Sequence, residues 1–291
     1  MNRGVLMHAL NNEQIDYTLI ALCNALAIRH YLDVPVCLVT TQGSVAWLRQ
    51  KYATLVDRAF QQIIFYDDRL PVGTRRFQDT LSTQRMLRWS NLNRVDSYAL
   101  TPFEETLLID ADYLILDDSL KHVWGTAHEV MLNRDIIPLD HGPVPPSERW
   151  LEDAGIQLCW ATVVYFRKSK LAEMLFDFAR HVRKHYAYYA LVYGYPAELY
   201  RNDYAFSIAV HMLSGFTRCD DIPTLPSPFL FTSFDRDELI DVPTQGDLAF
   251  FLNHRQEAWR FTLTRTKGIS VHVMNKFSIV RQADKLLSYY A

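Results

Sequence analysis

The chain has 291 residues, with 30 Lys+Arg against 33 Asp+Glu and a formal net charge of −3. Its 49% apolar residues supply a sizeable core, which excludes a disordered chain. The near-balanced charge excludes a protein coated in positive charge, though not a local basic patch.

Val5-Leu6-Met7 predicts a short first strand. Asn11-Asn12, with Gln14 three residues after Asn11, predicts a helix cap. Ile15, Leu19, Leu22 and Leu26 then recur at helical spacing, and Val34–Val39 predicts a second strand. Strand, helix and strand in succession form a βαβ unit, whose crossover implies parallel pairing. The alternation continues with a helix from Ser44, a strand Ile63–Phe65, a helix around Arg85–Trp89 and a strand Thr106–Ile109. The first half therefore predicts an α/β fold with a mostly parallel central sheet flanked by helices.

Pro138–Pro146 predicts a loop, because its prolines suit neither helix nor central strand. Cys159–Phe166 is the best strand of the second half. Helices at about 169–190 and 203–213 follow, then an irregular stretch at Pro223, Pro226 and Pro228, then a late strand Ile269–Val273. No repeat or flexible linker divides the chain, so residues 1–291 predict one domain with an elaborated second half.

Cys23, Cys37, Cys159 and Cys219 form no C-x-x-C pair, and the first three sit in apolar stretches as core residues. The first apolar run is too short for a signal peptide, and no run nears the ~18 residues that span a bilayer. The expectation is a cytoplasmic protein without a membrane partner. Nothing in the sequence fixes its oligomeric state.

Asp110-Ala111-Asp112 ends the apolar run Leu107–Ile109, and apolar residues resume at Leu114–Leu116. Carboxylates at the C-terminal end of a buried parallel strand lie where open α/β sheets bind ligands. Spaced by one residue, they can share a divalent cation that bridges to phosphates. Asp235-Arg236-Asp237 has the same spacing but reads as a helix cap with acidic first-turn residues. Asp67-Asp68, Asp117-Asp118 and Asp220-Asp221 read as solvated turns.

The hydrophobic Asp-x-Asp pattern in Thr106–Asp112 resembles that of GT-A-fold, glycogenin-like glycosyltransferases, as does Val271-His272-Val273-Met274-Asn275-Lys276. The resemblance implies a GT-A-like fold, with residues 1–120 as the nucleotide-binding half and 121–291 as the acceptor-binding half. It implies a hexosyl- or pentosyltransferase that uses a nucleotide-diphosphate sugar, a UDP-sugar preferred, with Mn2+ or Mg2+. By the same resemblance Asp110, Asp112 and His272 are the metal ligands, and Lys276 contacts the diphosphate. Ala9, Asn11 and Tyr17 cradle the nucleoside, Ala111 lies on the donor, and Arg85 reaches its phosphates. Arg88 shares that last position. Asp203 is the candidate acid at the acceptor or transferred sugar.

Residues 254–285 are basic, with Arg255, Arg260, Arg265, Lys267, Lys276, Arg281 and Lys285 facing only Glu257 and Asp284. A cation there suits a leaving nucleoside diphosphate. Tyr186, Tyr188, Tyr189, Tyr193, Tyr195, Tyr200 and Tyr204 follow Arg180, His181, Arg183, Lys184 and His185. Arg75, Arg76, Arg85, Arg88 and Arg94 form a further basic run against Asp79. Interleaved aromatics and cations suit a polyanion, so the acceptor stays open between carbohydrate, protein and a hydroxylated base in nucleic acid. The absence of a Gly-rich loop argues against a Rossmann or Walker nucleotide site. Two other readings compete: a haloacid-dehalogenase-like phosphatase with Asp110 as nucleophile, and a non-catalytic nucleotide-binding protein on a transferase scaffold.

Overall fold

The computed structural model describes residues 2–66, 73–78, 83–89, 92–151, 155–197, 200–217, 222–226, 229–254, 257 and 259–290. In chain order its first elements are β1 (Arg3–His8), α1 (Tyr17–Tyr31), β2 (Val36–Thr40), α2 (Gln42–Ala59) and β3 (Gln62–Phe65). Next come β4 (Gly73–Gln78), β5 (Gln84–Trp89), α3 (Ser97–Leu100), β6 (Glu105–Ile109) and β7 (Tyr113–Leu114). The middle holds β8 (Val130–Asn133), β9 (Asp135–Pro138), β10 (Trp150–Leu151), β11 (Ile156–Gln157) and β12 (Trp160–Arg167). Then follow α4 (Lys170–Lys184), α5 (Tyr186–Tyr193), α6 (Asn202–Leu213) and β13 (Phe229–Ser233). The chain closes with β14 (Leu239–Asp241), β15 (Asp247–Asn253), β16 (Phe261–Lys267), β17 (Val271–Val273) and α7 (Lys276–Ser288).

The central six-stranded sheet has the order β3-β2-β1-β6-β12-β8. Its first four strands are parallel, and β12 runs antiparallel to both β6 and β8. Strands β1, β2 and β6 are almost wholly buried, as expected of Val/Leu/Ile runs covered on both faces. Helices α1 and α2 stay in contact on one side, and α7 packs on α1 as well. Helices α4 and α6 pack together, with Phe176 and Phe206 meeting edge to face between them. The fold is thus mixed α/β with a mostly parallel, helix-flanked central sheet. A four-stranded sheet, β7-β17-β13-β9, and a three-stranded one, β14-β15-β16, elaborate the second half.

Several local expectations are corrected. The cap of α1 is Asp16, whose Oδ1 accepts from Leu19 N at 2.9 Å. Asn12 instead accepts from Gln14 N and Ile15 N, because its short carboxamide satisfies a turn upstream of the helix. Residues 84–89 form strand β5, paired with β4, rather than a helix; a cross-strand partner outweighs weak local preference over so short a stretch. The helix expected at 169–190 breaks at His185, whose φ −113° and ψ 32° separate α4 from α5. Asp235–Asp237 caps no helix; it leads into β14, and Asp237 pairs with Arg281 on α7. Asp117 is no free turn residue, since its carboxylate accepts from Ser119 N and from Ser270 N and Oγ. Asp67-Asp68, Asp79, Asp220-Asp221, Cys219, Pro228 and Arg255 lie outside the described residues. Among the described residues, no helix is long and apolar enough to cross a membrane.

Candidate metal and donor site

Strand β6 ends at Ile109, and the chain turns at once through Asp110-Ala111-Asp112 into β7. Asp110 N donates to Thr162 O at 2.9 Å, so Asp110 still belongs to the central sheet. Two residues on, Asp112 O accepts from Val273 N at 2.9 Å, so Asp112 belongs to the four-stranded sheet. The turn therefore bridges two sheets. Asn24, wholly buried on α1, clamps it: its Nδ2 donates to Tyr113 O at 2.7 Å and to Ala111 O at 3.3 Å. Its Oδ1 accepts from Ile115 N at 2.9 Å.

Strand β17 pairs antiparallel with β7, with His272 opposite Tyr113, which carries the imidazole to the same place. One ligand atom from each of Asp110, Asp112 and His272 lies within 4.8 Å of the others. His272 Nε2 is 3.3 Å from Asp112 Oδ2. Lys276 opens α7 just beyond, and its Nζ lies 2.5 Å from Asp112 Oδ2 and 2.9 Å from Met274 O.

Asp110 has its own cation. Arg94, 1% exposed, donates from Nη1 to Asp110 Oδ1 at 2.6 Å. Its Nη2 donates to the carbonyls of Ala161 and Thr162 on β12, so the guanidinium is fixed by backbone. Burial raises the Asp110 carboxyl above the usual range against the pull of Arg94, and the nearby Asp112 adds to the rise. Burial acts on Asp112 in the same sense, but Lys276 and His272 outweigh it and hold that carboxyl far below the usual range. His8, at the end of β1, meets Ser97 Oγ at 2.8 Å, and burial with Arg94 pushes its imidazole down to about 3.

Asp203 lies in the first turn of α6. Its Oδ1 accepts from Ala161 N at 2.8 Å, and its Oδ2 accepts from Arg201 at 3.1 Å. Arg201 also reaches Glu148 at 3.5 Å. Asp203 thus stands on β12 beside the carbonyls that hold Arg94, and its charge is felt at Asp110.

Ala9 is buried just beyond β1, and Tyr17 begins α1. Asn11 holds the start of α1 by accepting from Thr18 N at 2.8 Å. A cavity of about 430 Å3 lies at this end of β1 and β2, lined by Asn11, Asp16, Ser44 and the exposed Trp47. Arg85 lies on β5, paired with Phe77 on β4; its side chain, like that of Arg88, lies outside the described residues.

The sequence therefore supplied the carboxylates, His272 and Lys276, which the fold brings together. It missed the roles of Arg94 and Asn24. Arg94 belongs in sequence to a basic run, yet it is buried. Asn24 carried a legible signal: a carboxamide inside the apolar run Ile20–Ile28 needs a specific partner. Other basic residues are spent in pairs. Arg281 meets Asp237, Lys285 meets Asp241, Arg260 meets Glu257, and Arg183 meets Asp96. Tyr186, Tyr189, Tyr193, Tyr195 and Tyr204 are buried against one another as core, leaving Tyr188 exposed.

No family model and no curated protein matches this chain. Solved structures of glycosyltransferases do. GlyE of Streptococcus pneumoniae TIGR4 is 12% identical, the match covers 78% of this chain and 46% of that one, and the TM-score is 0.42. The mannosyltransferase PcManGT of Pyrobaculum calidifontis, solved with GDP-Man and Mn2+, is 13% identical over 78% of this chain and 56% of that one, with a TM-score of 0.41. The galactosyltransferase LgtC, solved with donor and acceptor sugar analogues, is 10% identical over 71% and 70%, with a TM-score of 0.41. The chain spans less than half the length of GlyE. These likenesses concern the general fold, and the functional reading below rests on the site's own side chains.

Proposed function

We propose that this chain is a glycosyltransferase that uses a nucleotide-diphosphate sugar, preferentially a UDP-sugar, and a divalent cation. The observation that carries the reading is the cluster of Asp110, Asp112 and His272 at the C-terminal end of a parallel strand. Two carboxylates and one imidazole form a donor set suited to Mn2+, with Mg2+ as the harder alternative. Bound there, the cation would neutralise the diphosphate as negative charge develops on the leaving group.

The chain's own residues supply the rest. Lys276 holds Asp112 in the free protein, and its flexible ammonium transfers to the diphosphate when donor binds. Arg94 fixes one oxygen of Asp110 and leaves the other for the cation. The cavity beside Asn11, with Ala9 and Tyr17 nearby, takes the nucleoside, and Trp47 offers a face on which a base can stack. Ala111 presents backbone at the donor, and Arg85, on β5, is the proposed contact to its phosphates. Asp203 serves the acceptor side, where a carboxylate can accept the hydroxyl proton. Residues 1–120 are the nucleotide-binding half and 121–291 the acceptor-binding half, with His272 and Lys276 reaching back from the second half to the donor.

The phosphatase reading is weaker because it asks Asp110 both to attack and to hold the cation, and Arg94 leaves a single oxygen for the two tasks. The test is thermal stabilisation by UDP, GDP, CDP and dTDP, each with and without Mn2+. A metal-dependent rise with one nucleotide is expected. No rise with any of them, or hydrolysis of p-nitrophenyl phosphate with Mg2+, would overturn the proposal.

A further inference from the structure

The Asp-x-Asp turn and His272 meet across a very short ladder. Strand β7 has two residues and β17 three, with Val271 facing Leu114 and His272 facing Tyr113. Side chains alternate along a strand, so a slip of one residue would turn His272 to the opposite face. Val273 N bonds Asp112 O at one end of this ladder, and β13 pairs in parallel along the other edge of β17.

Asp117 closes the opposite end. Its Oδ2 accepts from Ser270 N and from Ser270 Oγ, both at 2.7 Å. Its Oδ1 accepts from Ser119 N at 2.8 Å. Ser270 Oγ in turn accepts from Leu116 N at 3.0 Å. One carboxylate thus joins the segment after β7 to the residue just before β17, two positions from His272. Ser270 is buried and Asp117 half-buried. Burial raises the Asp117 carboxyl, but the bonds from Ser119 and Ser270 outweigh it and hold the carboxyl below its usual range. Hydrogen bonds to an ionised acceptor are short and strong, so three of them fix this junction closely. Asn24 does the matching work from α1, where it holds Ala111, Tyr113 and Ile115. Asn24 therefore sets the turn that carries the two carboxylates, and Asp117 sets the strand that carries the imidazole.

We propose that Asp117 is a positioning residue of the candidate metal site: through Ser270 it fixes β17 against β7 and so holds His272 within reach of a cation shared with Asp110 and Asp112. The role rests on the cation reading above. It gives a task to an acid that the sequence alone presents as a solvated turn, and it separates Asp117 from its exposed neighbour Asp118.

The test uses the full chain with Mn2+ alone. Calorimetric titration gives the affinity, and electron spin-echo modulation by an imidazole nitrogen reports whether His272 reaches the ion. Wild type is expected to show the modulation, and His272→Ala to lose it. Asp117→Ala is expected to bind Mn2+ roughly tenfold more weakly and to lose the modulation, while its circular dichroism stays native. Asp117→Asn keeps an acceptor oxygen for Ser270 and should restore both readouts. Asp117→Ala combined with His272→Ala should bind no more weakly than His272→Ala alone, because both changes act through one imidazole. If Asp117→Ala does not fold, Ser270→Ala takes its place; it deletes the hydroxyl, keeps the amide bond to Asp117 and should move both readouts in the same direction. Wild-type affinity and modulation in the folded variants, or additive losses in the double variant, would remove the role of Asp117 and leave the cation reading intact. Absence of Mn2+ binding or of nitrogen modulation in wild type would instead remove His272 as a ligand, and the role of Asp117 with it.

Discussion

Lys276 Nζ lies 2.5 Å from Asp112 Oδ2, so an internal cation occupies the carboxylate that a divalent ion would share with His272. On the proposed reading the ammonium would compete with the ion as well as contact the diphosphate. Lys276→Met should tighten Mn2+ binding in the absence of nucleotide by roughly tenfold, equivalent to about 1.4 kcal/mol of competition. It should also lower transferase turnover by roughly a hundredfold, by analogy with loss of one charge-stabilising donor. Calorimetric titration with Mn2+ checks the first part, and unchanged affinity would refute the competition.

Asp112→Asn removes the carboxylate held by both Lys276 and His272. Metal-dependent turnover should fall by at least about a hundredfold, while far-ultraviolet circular dichroism stays that of the native fold. Retention of wild-type activity would show that the cation, if any, is held elsewhere.

Arg94 ties Asp110 to two backbone carbonyls of β12. Arg94→Met strips the guanidinium from the Asp110 carboxylate and from the Ala161 carbonyl, while Thr162 O keeps the Asp110 amide. The expected loss is about 3–5 kcal/mol of unfolding free energy, because one partner of a buried ion pair has been removed. Urea denaturation measures it, and a loss below about 1 kcal/mol would assign the pair a minor structural role.

His8 provides a pH signature. Its imidazole titrates at about 3 when folded, against 6.5 in its ordinary state. Between those values the unfolded chain binds a proton that the folded one excludes. This contribution to stability is complete above about pH 6.5 and declines as pH falls towards 3, with a slope of about 1.4 kcal/mol per pH unit. His8→Gln should therefore show a shallower acid limb than wild type. Urea midpoints at several pH values between about 4 and 7 decide the matter, and parallel limbs would rule out a neutral buried His8.

The βαβ opening, β6 and β12 were legible because continuous apolar runs bounded by turn residues leave few alternatives. Asp110 and Asp112 were legible because carboxylates rarely interrupt such runs without purpose. The β4–β5 hairpin was not, because Gln84–Trp89 has no clear period and becomes a strand through its partner. Strands β14 to β16 escaped for a similar reason: exposed Phe251, Phe261 and Leu263 blur the alternation. Arg94 was hidden by its neighbours in sequence. A run of arginines reads as a solvated face, and only the fold turns this one inward against Asp110.

The Asp-x-Asp turn gives one carboxylate to each of two sheets, Asp110 to the central sheet and Asp112 to the four-stranded one. Ligand spacing is consequently a caliper reading of how those sheets stand to each other. A substitution that shifts β17 or β13 by a fraction of an ångström changes the bite offered to an ion without touching a ligand. Conversely, on the proposed reading an ion seated between Asp110 and Asp112 would rivet the sheets together, so donor binding and the packing of the second half would share one mechanical joint.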